Sequence, residues 1–303
     1  MDDIYTLTRE ENVFLAKKRW VESIYSGMRM ENRNVTFPQT QTILEGINVA
    51  DVSLADIQAI LNMRDAWEYL LAHVDGTLNI KYLCELQKRV AYREALAWGE
   101  LRTGSVGISG VTYTPPIPNP ARVRRELADL LKAPLSKTEI ALMLFTWITR
   151  SQLFWDGNKR TALLAANKIL IENGLGILLV SDNRMVEFSA LLSDYYETGN
   201  SAQLVSFLYH SCLLGLEYSP SEVSKSAPLK TSGPPSQKEK SLPMHPTRSS
   251  AWLKQARQIN GITQKSLAEV IGVSTSAIAN IEQRQRKGSN EVWAKIEQYF
   301  EEQ

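Results

Sequence analysis

Residues 152–170 read QLFWDGNKRTALLAANKIL, and the reading of this stretch decides how the rest of the chain is organised. Asp156 is followed by Gly157, Asn158, Lys159 and Arg160, and the chain then enters a helical pattern, Arg160–Asn173, that stops at Gly174. Such a run has the parts of an anion cradle. Gly157 lets the backbone approach a ligand closely, and the amides of residues 157–160 open a helix, where the dipole favours phosphate. Asp156 is a hard oxygen ligand suited to a Mg²⁺ that bridges phosphates. Arg160 offers a two-pronged phosphate contact, while Leu153 and Phe154 anchor the loop in a core. A capped helix behind a polar glycine turn fits the same spacing, and spacing alone leaves the two readings even.

Helical periodicity extends outward on both sides. Upstream it covers Glu10–Met30, where Phe14, Leu15, Trp20 and Ile24 recur on a face, and Ser53–Ala72, where Ser53 can cap with Asp56 three residues on. Asn79–Glu94, Ala121–Lys132 and Lys137–Arg150 follow, and Glu187–Tyr196 and Ala202–Leu216 close the domain. The exception is GSVGISGVTYTPPIP, Gly104–Pro118, whose Gly, Val, Thr and Pro suit a short hairpin. The expected class is all-α with one small β-hairpin flap.

Residues 217–249 are rich in Ser, Pro and Lys and lack apolar periodicity, so they read as a flexible linker between a domain at 1–216 and one at 250–303. The C-terminal domain divides into about five short helices. Ala251–Ile259 precedes a break at Gly261; Thr263 caps Gln264–Ile271; Gly272 turns the chain; and Ser274 caps Thr275–Gln283. Glu291–Phe300 is amphipathic. From Arg248 to Phe300 eight basic residues face four acids, a net of +4 in a chain whose total is only +1. That local excess supplies a salt-dependent attraction to phosphates.

The bulk numbers exclude several classes. A chain of 303 residues with 44% hydrophobic and 22% charged residues suits two soluble domains. Near-neutral total charge argues against a general polyanion binder. Cys84 and Cys212 form no paired motif and favour a reducing compartment. The polar N-terminus does not read as a signal peptide, and no run of about 18 apolar residues suggests a membrane span. The expectation is a cytoplasmic protein.

The run at Gln152–Arg160 resembles the Fic/Doc (Fido) signature, His-Pro-Phe-x-Asp-Gly-Asn-Gly/Lys-Arg. ELRTGSVGISGVTYTPP, TEIALMLFTWITRS and FSALLSDYYETGNSAQLVSFL resemble the segments around it, so the likeness spans about residues 35–216, with a core at 75–216. It implies a helical fold, an ATP-like nucleotide with Mg²⁺, phosphate contacts from Gly157, Asn158, Lys159 and Arg160, and a metal on Asp156. Lys159 is the Doc-like form. Two departures stand out. The family's His, the general base that deprotonates a target hydroxyl, is replaced by Gln152, and Leu163 stands where many AMP-transferring members carry a second Arg. TQTILEGI, Thr40–Ile47, resembles the inhibitory motif Ser/Thr-x-x-x-Glu-Gly/Asn, which implies that Glu45 and Gly46 turn toward the site.

TQKSLAEVIGVSTSAIANIE, from Thr263, resembles the helix-turn-helix of the lambda-repressor/Cro type. The resemblance implies that Gln264 touches phosphate or a base edge and that Ser274, Thr275, Ser276 and Asn280 face the major groove, with Arg284 and Lys287 adding basic contacts. Such modules usually bind palindromic double-stranded DNA as homodimers. Three functions remain open: a transcriptional regulator whose Fic-like domain binds a nucleotide without catalysis; an active nucleotidyl- or phosphotransferase, autoregulated in toxin–antitoxin style, with a target or antitoxin protein as partner; and a bare interaction scaffold.

Overall fold

A computed structural model describes residues 1–47, 49–216, 253, 257, 262–282 and 290–301. The chain divides into two units between Ala227 and Pro228, inside the stretch read as a linker; that linker itself lies outside the described residues.

In the larger unit helices start where side chains can satisfy their first amides. Thr8 caps α1 (Arg9–Lys18) in a reciprocal box with Glu11, and Thr36 caps α3 (Phe37–Leu44) in the same way with Gln39. Ser53 caps α4 (Leu54–Ala72) through the amide of Asp56, as the sequence suggests. Asn79 opens α5 (Ile80–Val90), Asn119 with Pro120 opens α6 (Pro120–Leu131), and Ser136 opens α7 (Lys137–Ser151). The expected single helix Glu10–Met30 is two. Arg19, at φ −106° and ψ 15°, separates α1 from α2 (Trp20–Met30). The break lets the two segments bury different faces, Leu15 and Ala16 on one and Ile24, Gly27 and Met28 on the other.

At the centre lies α8 (Asn158–Glu172), which packs along α7 and also touches α1, α2, α4 and α5. Every residue from Arg160 to Ile171 is buried, so α8 is a core helix rather than an amphipathic one. It stops at Gly174, where φ is +71° and an added Cβ would lie 2.0 Å from the Leu7 carbonyl oxygen. Only glycine fits there. Two short strands, β1 (Ile177–Leu178) and β2 (Leu213–Leu214), pair antiparallel, with α9 (Met185–Thr198) and α10 (Ala202–Ser211) between them. This pairing shortens the last helix expected from the sequence, which ends at Ser211 rather than Leu216.

The expected hairpin at 104–118 contains no paired strands. The segment turns between Ile108 and Val111 and has no regular secondary structure elsewhere. Pro115 and Pro116 have no amide to give a ladder, and their carbonyls are taken instead by the buried guanidinium of Arg102 at 3.2 and 2.7 Å. The flap is a strap tied by side chains from outside it, Arg102 on its carbonyls and Glu197 on the amide and hydroxyl of Thr112.

The smaller unit contains α11 (Gln264–Ile271), α12 (Thr275–Glu282) and α13 (Asn290–Glu301). Gly272 makes the turn at φ +69°. Leu267, Ala268 and Ile271 meet Ile278, Ile281, Trp293, Ile296 and Leu253 in a separate core, with Val273 against its edge. Of the expected first helix, Ala251–Ile259, only Leu253 and Arg257 are among the described residues, and both are helical.

Candidate functional site

The loop from Gln152 to Gly157 is built by its own polar side chains. Asn158 accepts the Phe154 amide at 3.0 Å and donates to the Phe154 carbonyl at 2.8 Å and to Gln152 Oε1 at 3.1 Å. Gln87, fully buried, donates to the Asp156 carbonyl and accepts the Gly99 amide. Gly157 sits at φ +73°, and a Cβ there would press on Val90 at 2.7 Å. Asn158 and Gly157, expected to serve a ligand, are therefore also the braces of the loop.

Gln152 ends α7 in the left-handed region, at φ 44° and ψ 60°, a conformation that costs a non-glycine residue about 1–3 kcal/mol. Its amide is committed at both ends. Nε2 donates to the Thr149 carbonyl at 2.6 Å, and Oε1 accepts from Asn158. Arg102 fixes the backbone here by donating to the Gln152 carbonyl.

The charged residues of the motif face one another. Arg160 is 1% exposed and lies 3.0 Å from Glu94, 3.5 Å from Glu31 and 3.6 Å from Asp156. Lys159 donates to the Met30 carbonyl at 2.6 Å and pairs with Glu31 at 3.0 Å. Behind them Arg33 bridges Glu94 and Asp56, and Asn62 donates to Glu94 at 2.7 Å. Burial alone would raise the Glu31 carboxyl, but Lys159 and Arg160 outweigh it and hold its pKa below the ordinary value. Burial likewise works against the Arg160 charge, and Glu31 and Glu94 raise its pKa despite it.

Glu31 and Glu94 are the residues that sequence reasoning missed. The expected inhibitory residue, Glu45, does not reach the site: it is exposed at the end of α3 and accepts from Gln41 at 3.1 Å, and Gly46 beside it is exposed too. The difference lies in where the two helices end. Helix α2 packs on α8 and delivers its C-cap residue, Glu31, to the start of α8, whereas α3 ends on the surface. Glu31-Asn32 fits the Glu-Gly/Asn half of the inhibitory pattern as well as Glu45-Gly46 does, with Gly27 in place of Ser or Thr. Glu94 carries no such signal, because it lies in the irregular chain after α5.

A cleft of about 360 Å³ opens beside Gln152 and Lys159, walled by Glu31, the strap at 107–111 and the α9 residues Ser189, Ser193 and Tyr196. No histidine lines it, and His73 instead stacks on Tyr69. No side chain caps the start of α8, which leaves that end suited to an anion. Asp156 is 46% exposed and one of its oxygens accepts the Gly157 amide, so its other oxygen could hold Mg²⁺ once a ligand phosphate completes the shell. No group of three or more metal-binding side chains occurs among the described residues. One phosphate fits this donor set. A chain of phosphates fits it poorly, because Lys159 is the only cation in the wall.

Residues 77–170 match the Fic/DOC family model, a span that takes in the strap and the Asp156–Arg160 loop. The chain carries a Fic/DOC domain. Residues 253–302 match a helix-turn-helix model. Proteins named "Protein adenylyltransferase Fic" from Drosophila willistoni and Drosophila melanogaster are 29% and 28% identical to the chain over 167 residues, 52% of it. The match spans about a third of those relatives' length, 33% and 34%. Among solved structures, Fic-1 from C. elegans aligns with TM-score 0.54 at 19% identity, covering 64% of this chain and 62% of that one. A Fic family protein from Desulfovibrio desulfuricans aligns with TM-score 0.53 at 16% identity, covering 90% and 78%. Glu31 precedes the part matched to the Fic/DOC model, and Glu94 lies within it.

In the helix-turn-helix unit the caps are as expected: Thr263 accepts the Ser266 amide at 3.0 Å and Ser274 the Ala277 amide at 3.2 Å. Ser274, Thr275 and Ser276 are exposed and Asn280 is half-buried on α12, whose Ile278 and Ile281 face the core. Gln264 is only partly available. Its Nε2 donates to Glu282 at 2.7 Å, and Arg257 donates to both oxygens of the same carboxylate at 2.8 and 3.1 Å. One of the eight basic residues is thus neutralised inside the fold. Arg284 and Lys287 lie outside the described residues. No helix among those described is long and apolar enough to cross a membrane.

Proposed function

We propose that this chain is a DNA-binding transcriptional regulator whose Fic/DOC domain binds a nucleotide without transferring any part of it. The observation that carries the reading is Gln152. It stands where the family resemblance puts the general base, and a neutral amide does not take a proton from a hydroxyl. Both of its ends are already hydrogen-bonded, and no histidine lines the cleft to replace it. Loss of a general base costs about 10²–10⁴ in rate. The carboxylate in the wall, Glu31, is a poor substitute, because Lys159 and Arg160 favour its ionised form against burial and weaken it as a base. On the DNA side the exposed hydroxyls of Ser274, Thr275 and Ser276, with Asn280 behind them, support a recognition surface on α12. Two copies of the unit on a palindromic site would follow the usual symmetry of such modules.

The second reading is an active transferase that controls its own synthesis. The curated relatives' names and the retained run from Asp156 to Arg160 favour it. Label transfer to protein from α- and γ-labelled ATP with Mg²⁺, comparing the wild type with Gln152→His, separates the two. The regulator reading expects no transfer by the wild type. Transfer at a rate comparable to that of Gln152→His would sink it. A gel shift on the DNA upstream of the chain's own reading frame tests the other half, with a sequence-dependent shift expected.

A further inference from the structure

The charges around the cleft point to a narrower ligand than a nucleotide in general, an inference that rests on the reading that the cleft binds nucleotides. We propose that it takes a nucleoside monophosphate and discriminates against the triphosphate, with Glu94 as the positioning residue that keeps Arg160 away from phosphate.

A triphosphate needs cations along its length. The wall offers one, Lys159, already paired with Glu31 at 3.0 Å and donating to Met30. The second cation of the motif, Arg160, is 1% exposed, and its Nη1 is taken by Glu94 at 3.0 Å and by the Val90 carbonyl at 3.1 Å. Glu94 cannot easily let go. It is 7% exposed, holds Arg33 on its other side, and accepts from Asn62, which is itself buried. One turn into α8 stands Leu163, fully buried, so no charge reaches the cleft from there either. Every phosphate beyond the first would therefore add negative charge near the Glu31 carboxylate with no further protein cation in the wall to offset it. A single phosphate meets a different balance. Lys159 has a third N–H to give, and the start of α8 has no side-chain cap. Ser189, Ser193 and Tyr196, which also line the cleft, supply hydroxyls and a ring for a sugar and base. A volume of about 360 Å³ is at the small end of ligand pockets.

The test is isothermal titration of the full chain with mono-, di- and triphosphates of each of the four ribonucleosides, with and without Mg²⁺. At least one monophosphate is expected to bind at least tenfold tighter than its triphosphate, and Mg²⁺ is not expected to reverse the order. A Mg²⁺–triphosphate that binds as tightly as its monophosphate, or more so, overturns the proposal and leaves the nucleotide reading standing. Absence of binding by every member up to millimolar concentration overturns both. Glu94→Gln separates the residue's role from a merely structural one. Releasing Arg160 should strengthen triphosphate binding severalfold while the monophosphate changes little. An unchanged ratio in a variant that keeps its helical circular dichroism removes Glu94 from the account. Should Glu94→Gln fail to fold, Lys159→Met carries the test: monophosphate affinity should drop to that of the bare nucleoside, and a retained difference contradicts the assigned phosphate position.

Discussion

The two candidate binding surfaces of this chain treat their polar side chains in opposite ways. In the Fic/DOC domain the motif residues turn on one another: Arg160 is 1% exposed among three carboxylates, and Asn158 is spent on the loop's own backbone. In the helix-turn-helix unit Ser274, Thr275 and Ser276 stand on the surface, and apart from the cap that Ser274 provides the structural work falls to Ile278, Ile281 and the Arg257–Glu282 pair. The difference shows that a motif can encode its own folding before it encodes any ligand. The sharpest way to break the comparison is Arg160→Met. Removing the cation leaves Glu31 with Lys159 and Glu94 with Arg33 and Asn62 as their remaining partners, and takes one positive charge out of a largely buried cluster, so the larger unit should lose about 3–5 kcal/mol in urea titration. Ser276→Ala should stay within about 0.5 kcal/mol. A loss below about 1 kcal/mol for Arg160→Met would mean that the ion cluster is not what holds the loop.

Two glycines sharpen the same contrast. Gly174 and Gly272 both end a helix in the left-handed region, at φ +71° and +69°. A methyl group at Gly174 would lie 2.0 Å from a backbone oxygen that cannot move freely, whereas nothing lies within 4 Å at Gly272. Gly272→Ala should therefore cost only the conformational penalty, about 1–2 kcal/mol. Gly174→Ala should cost that and the clash, about 3 kcal/mol or more. Equal losses in thermal melts of the two variants would mean that the α8 terminus yields more readily than its packing suggests.

Most of the helices were legible in the sequence because their caps and apolar spacing are local signals, as at Ser53 and Thr263. The site was legible only in its loop. Glu31 reaches Lys159 across 128 residues of chain, and Glu94 reaches Arg160 from an irregular segment, so neither partner follows from spacing. The strap at 104–118 has the composition of a hairpin, but its backbone is tied by Arg102 and Glu197, residues outside the segment. Gln264 was assigned to DNA on its position alone, while its amide is engaged by Glu282 eighteen residues on.

On the surface that remains open, Asn280 is the residue able to make a two-point contact with adenine. Asn280→Ala should cost about 1–3 kcal/mol of discrimination at one base position, with little change on unrelated DNA. A uniform loss across sequences in a competition gel shift would reassign Asn280 to backbone contact, and the contrast between the two surfaces would then rest on the serines and Thr275.

The smallest expected effect is the one most specific to the closed cluster. Burial opposes ionisation of Glu31, but Lys159 and Arg160 prevail and depress its pKa below the ordinary value near 4.5. A carboxylate with a lower pKa in the folded state contributes stability that is fully present above 4.5 and is lost as pH falls through the folded value. Glu31→Gln removes that contribution at neutral pH and has none left to lose in acid. The stability gap between wild type and variant should therefore be constant from about pH 6 to 8 and close progressively below 4.5, a change of at most one proton in the uptake on unfolding. Urea titrations of both proteins across pH 3 to 8 read it directly. A gap that persists unchanged at the acid end would show that Glu31 contributes through packing and not through charge, and the balance of ions at the start of α8 would have to be drawn around Glu94 alone.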